Sequence, residues 1–137
     1  MQNPYILVTE SDLRRLRTWA SRATAQPHDA EALDALREDL ARAVPVAPAD
    51  VPRDVVTLGS VVNVRDLDTD TVVEYRLVAP DEADVAQRRI SVVAPIGLAL
   101  LGRRVGEERR WTSPAGPRRL RIEGVPFQPE AAHRVGG

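Results

Sequence analysis

Two short apolar stripes with identical spacing, separated by a brief break, restrict the N-terminal third of this chain to a pair of helices packed on each other. Leu13, Leu16, Ala20 and Ala23 recur at intervals of three, four and three residues, and Leu33, Leu36, Leu40 and Ala43 repeat that pattern. Such spacing lines one face of a helix. Thr9 is placed to cap the first helix, with Asp12 at the capping-box position, and Asp29 is placed to cap the second. Pro45 ends the second run. The connection over residues 24–28 is short enough to force the helices antiparallel. Arms of about 15 residues give a hairpin projecting roughly 20 to 25 Å. Ile6, Leu7 and Val8 are expected to dock its base onto the rest of the protein.

Residues 45–54 hold three prolines and no hydrophobic periodicity, the pattern of an extended linker. This divides a helical hairpin over 1–44 from a second domain over 55–130, followed by a tail at 131–137. In the second domain, residues 61–67 and 72–78 are valine-rich and flank a turn at 68–71, which predicts a β-hairpin. Residues 90–94 form a short apolar strand. Pro95 opens a brief helix to Leu101, which Gly102 closes. Residues 109–113 and 118–125 flank a Pro-Ala-Gly-Pro turn and make a second hairpin. The expected fold class is α+β: a short antiparallel coiled-coil hairpin, then an antiparallel sheet domain covered by one short helix.

Composition narrows the function. The 137 residues carry 19 basic and 20 acidic side chains, a formal net charge of -1, so no global field draws the chain onto nucleic acid or an anionic membrane. Cysteine is absent and only His28 and His133 offer imidazole, so no metal, cofactor or catalytic residue is expected. Neither a nucleophile elbow nor a phosphate-cradling glycine loop is present. No run approaches the ~18 apolar residues of a membrane span, and the N-terminus lacks a basic leader. The cytoplasm is the default location, no membrane contact is expected, and a monomer is the default state. Arginines cluster at 103–104, 109–110 and 118–121, but the two tryptophans, two tyrosines and one phenylalanine are few for base stacking. A solvated face is the simpler reading, with contact to an acidic protein surface next. Nucleic acid is then met only through a protein partner.

The run from Ala94 to Glu107, APIGLALLGRRVGE, resembles the segment SP(I/L)GxALxGxxxGD of the bacterial GreA/GreB transcription-factor family. Leu58-Gly59-Ser60-Val61-Val62, Tyr75-Arg76-Leu77-Val78-Ala79-Pro80 and the ending Ile122-Glu123-Gly124-Val125-Pro126-Phe127-Gln128-Pro129 occur in order around it. Ala94 stands where the family usually has serine. The resemblance implies an FKBP-like C-terminal domain that grips the rim of the RNA polymerase secondary channel, with Pro95, Ile96, Gly97, Arg103 and Arg104 as docking candidates. It also places His28, Asp29 and Glu31 at the hairpin tip. Transcript-cleavage factors of the family resemble long coiled coils whose tip carries an acidic pair that helps hold the second catalytic magnesium of the polymerase, a task suited to carboxylates. Matching the loop puts Ala25 and His28 where that pair belongs, and the hairpin is about half as long. The chain is therefore identified with the Rnk-like branch, named for regulation of nucleoside diphosphate kinase, as a polymerase-binding regulator that competes with Gre-type factors. The alternative is a cleavage-stimulating elongation factor in which Asp29 and Glu31 assist the metal. Acids at a helix start also have a purely structural use, worth about 0.3 to 1 kcal/mol each against the helix dipole. Prolyl isomerase chemistry is a distant third, because its groove is lined with aromatics.

Overall fold

The computed structural model describes residues 6–22 and 30–136, with the side chains of 6–21 and 33–132 placed. Strand β1 (Leu7–Thr9) runs into helix α1 (Glu10–Arg22), and helix α2 (Ala30–Ala41) leads to β2 (Val44–Val46). The hydroxyl of Thr9 accepts the Asp12 N–H at 3.1 Å, satisfying one of the free donors at the helix start as the sequence predicts. Leu13, Leu16 and Ala20 face Leu33, Leu36 and Leu40, all buried. The Arg37 guanidinium donates to the Ala20 carbonyl at 2.7 Å, placing a cation where the end of α1 concentrates unpaired carbonyls.

The stretch read as an extended linker is built into the fold. β2 pairs in parallel with β1, Leu7 opposite Val44, a 3-10 turn spans Pro48–Asp50, and Val51 is buried. The chain's end holds this stretch in place. The Gln128 side-chain amide donates to the carbonyls of Pro52 and Val55, both at 2.8 Å, and Glu130 accepts from the Thr57 hydroxyl at 2.7 Å. Residues 131–136, expected as a tail, belong to a further helix, Pro129–Gly136.

Five strands form the main sheet in the order β5-β4-β3-β7-β6. β3 (Val61–Asp66) and β4 (Thr71–Val78) make the first hairpin, and β6 (Glu108–Ser113) and β7 (Gly116–Phe127) the second. The short strand β5 occupies Arg89–Ser91, slightly earlier than the apolar run suggested, and pairs parallel to β4. The sheet is therefore mixed. Residues 79–88 carry the chain back along the strand it has just left, so it re-enters in the same direction, as a parallel pair requires. Helix α3 (Pro95–Leu100) lies across β5 and β6, and the C-terminal helix Pro129–Gly136 is α4.

A single hydrophobic cluster runs from Leu16 and Leu36 in the hairpin through Val56 and Leu58 to Leu100, Leu120 and Ile122 under the sheet. Each such side chain contributes about 1.5 to 3 kcal/mol by leaving water. Gly102 marks the joint between the two parts. Its φ is +75°, and a Cβ there would lie 2.4 Å from the Ile6 Cβ. Its N–H donates to the Val56 carbonyl at 2.8 Å while its own carbonyl accepts from Leu7.

Candidate functional site

The α3 edge of the sheet domain is the best-defined candidate surface. Pro95 occupies the first turn of α3, where its missing N–H costs nothing, and Ala94 before it supplies no side-chain cap. Pro95 is exposed, whereas Ile96 is 9% exposed and Gly97 is buried. A Cβ on Gly97 would stand 2.0 Å from the Ser91 carbonyl oxygen, so the glycine lets α3 lie directly against the end of β5. Ile96 and Gly97 are thus the mounting of this edge, and Pro95 is its exposed tip.

The two arginines that follow α3 have opposite fates. Arg103 is 3% exposed, which removes it from any surface contact. Burial lowers its pKa, Arg109 adds to that by repulsion, and Glu107 and Asp39 oppose it. Arg103 belongs to the joint between α2 and the sheet domain. Burial raises the pKa of its neighbour Asp39, even against Arg103, Arg42 and Arg109. Arg104 is exposed and grips Asp54 with two hydrogen bonds of 3.1 Å, and its N–H donates to Glu107 Oε2 at 2.7 Å. Of the five docking candidates, Pro95 and Arg104 are at the surface.

His28 and Asp29 lie outside the described residues, and Glu31 falls in the first turn of α2 without a described side chain. Among the described residues, no three His, Asp or Glu side chains gather as a metal site requires. No described helix is long and apolar enough to cross a membrane. A cleft of about 60 Å³ between the sheet and α3 is lined by Val64, Val73, Tyr75, Ile96, Trp111 and Leu120, among others. This leaves room for ordered water. Asp66 also lines this cleft and pairs with Arg118 at 2.6 Å, while on the opposite face Arg121 pairs with Glu123 at 3.2 Å and Arg65 with both Glu123 and Asp70.

Asp12 was legible only as a helix-start acid. It is 8% exposed, and its Oδ2 has no hydrogen-bond partner among the described residues. Burial, reinforced by Glu130, raises its pKa to about 6. A carboxyl whose pKa rises on folding stabilises the protein most below its unfolded value, near 4, and that contribution is lost as pH climbs through about 6. Stability is therefore expected to fall by up to about 3 kcal/mol between pH 4 and 7 from this group. Chemical denaturation of the wild type and Asp12→Asn across that range checks this, the variant lacking that part of the slope.

The sequence profile described as "Transcription elongation factor, GreA/GreB, C-term" matches residues 51–126. The "Regulator of nucleoside diphosphate kinase" of Escherichia coli strain K12 is 36% identical over 135 residues, covering 96% of both chains. "Transcription elongation factor GreA" of Syntrophotalea carbinolica is 42% identical over 81 residues, covering 59% of this chain. The chain spans about half the length of that relative, 51%. Among solved structures, a prokaryotic transcription elongation factor GreA/GreB from Nitrosomonas europaea superposes with a TM-score of 0.75 at 34% identity, over 91% of this chain and all of that one.

Proposed function

The chain belongs to the GreA/GreB transcription-factor family, in its Rnk-like branch, and from that premise we propose that it is an RNA polymerase-binding transcription regulator acting by occupancy. The α3 edge docks at the secondary-channel rim through Pro95 and Arg104, and the helical hairpin enters the channel in competition with Gre-type factors. Control of nucleoside diphosphate kinase, the effect named for the Escherichia coli relative, belongs to the same proposal.

The observation that carries the reading is the length of the arm. Over the described residues helices α1 and α2 have 13 and 12 residues, or about 18 to 20 Å each, and the sequence leaves only positions 23–29 to join them. An arm this short blocks a channel mouth without bringing carboxylates to the catalytic metals at its floor. Ala25 and His28, at the positions expected for the acidic pair, support the same conclusion.

Purified RNA polymerase is the probe. Pro95→Asp is expected to weaken binding about tenfold or more, the usual loss when a central contact is replaced by a charge, without lowering Tm. Asp29→Ala combined with Glu31→Ala is expected to leave binding intact. Wild-type affinity in Pro95→Asp would move the docking surface elsewhere.

A further inference from the structure

The outer edge of β4 is open over half its length. β5 covers only Arg76, Leu77 and Val78, so no described strand lies beside residues 71–75. The Arg76 N–H donates across that edge to the Arg88 carbonyl at 2.9 Å. The two-residue period of a strand turns the N–H and C=O groups of Glu74 and Val72 the same way. Proteins usually guard such edges with proline, lysine or a bulge. Here the edge carries Val72, 49% exposed.

Where this edge meets the turn into β5, a cleft of about 210 Å³ opens, bounded by Val61, Glu74, Tyr75, Arg76, Gln87 and Arg88. Arg88 sits in a left-handed conformation with φ of 57°, and Arg89 follows it into β5. Arg76 and Arg88 thus line a cleft with one carboxylate, and Arg89 lies beside Arg76 in the strand register. Phe127, Val61, Arg76 and Arg89 share one register row across four strands, and the Arg76 guanidinium lies 5.4 Å from the Phe127 ring centroid.

We propose that this edge receives an extended acidic segment of a partner protein, which joins the sheet as a strand beside Val72 and Glu74. Main-chain hydrogen bonds supply the attachment, and carboxylates set against Arg76, Arg88 and Arg89 supply the selectivity. A second copy of this chain fits less well, because a five-residue edge buries far less than the roughly 800 Å² per partner of a stable association. Single-stranded RNA also fits less well. Arg76 already covers one face of the exposed Phe127 ring, and a nucleic acid has no peptide N–H and C=O ladder to match the open strand edge. The occupant is defined by charge and extended shape, so the inference does not depend on how the α3 edge docks.

The test is amide NMR of the full chain titrated with the blocked peptide Ac-Glu-Val-Glu-Val-Glu-Val-NH2, with its lysine-for-glutamate counterpart and with oligouridylate. The acidic peptide is expected to shift the Val72 and Glu74 amides and slow their hydrogen exchange about tenfold, with the lysine peptide binding about tenfold more weakly. Val72→Pro removes an outward donor that the β3 side does not use. Arg88→Gly with Arg89→Ala removes two cations while glycine suits the left-handed backbone. Each variant is expected to weaken the peptide about fivefold or more, with Tm unchanged for the arginine pair. Equal binding of the lysine peptide, shifts confined to other residues, or oligouridylate protecting these same amides would overturn the proposal. So would protection of the two amides by self-association without peptide.

Discussion

Leu101→Asp is expected to abolish the cooperative melt of the entire chain, hairpin included. Leu101 is 3% exposed at the end of α3 and belongs to the cluster that continues into the hairpin. The substitution forfeits about 2 kcal/mol or more of apolar burial and leaves a carboxylate without a partner in the core, several kcal/mol further. Against a total stability of about 5 to 15 kcal/mol for a domain of this kind, that sum unfolds most of the population. Leu101→Met, which keeps the volume, is expected to cost less than about 1.5 kcal/mol. Circular dichroism melts of the two variants decide the matter. A cooperative, near-native melt in Leu101→Asp would show that α3 does not pack where it is placed here.

Gly97→Ala should be nearly as damaging, although it adds a single methyl. The new Cβ would meet the Ser91 carbonyl oxygen at 2.0 Å, the Ser91 carbonyl carbon at 3.0 Å and the Val92 Cα at 3.1 Å. All three are backbone atoms, so no flexible side chain can yield. The helix must lift from β5, at an expected cost of about 3 kcal/mol or more, and Pro95 moves with it. Polymerase binding should fall together with Tm. Gly106→Ala provides the contrast: its φ is +94° but no atom lies within 4 Å of the new methyl. The cost there is conformational strain alone, about 1 kcal/mol. A Gly97→Ala variant as stable as Gly106→Ala would contradict the close contact between α3 and β5.

The parts of this architecture that were legible in the sequence are those set by local periodicity and by residues with one conformational use. The stripes at Leu13, Leu16, Ala20 and Leu33, Leu36, Leu40 are buried, Thr9 caps α1, and α3 runs from Pro95 to Leu100 with left-handed Gly102 shortly after it. Long-range pairing left no such mark. The three-residue strands β1 and β2 are too short for a period and find each other only because the hairpin brings its two ends together. The parallel placement of β5 depends equally on how residues 79–88 fold back. Burial of polar groups was hidden for the same reason. Arg103 and Arg104 are indistinguishable as sequence, yet the first is buried where the Asp39 charge of α2 acts on it and Asp54 holds the second at the surface. Asp12 reads as a helix-start acid, and the Glu130 charge that helps raise its pKa comes from a segment near the other end of the chain.

The most direct measurement is RNA cleavage in a backtracked RNA polymerase complex, with this protein added alone and then titrated against a working Gre factor. Occupancy of the secondary channel by a short, cleavage-incompetent arm predicts no cleavage from the protein alone and progressive inhibition of the Gre factor. Cleavage by the protein alone, lost in the variant combining Asp29→Ala and Glu31→Ala, would mean that the hairpin tip reaches the metals and that the occupancy account is wrong.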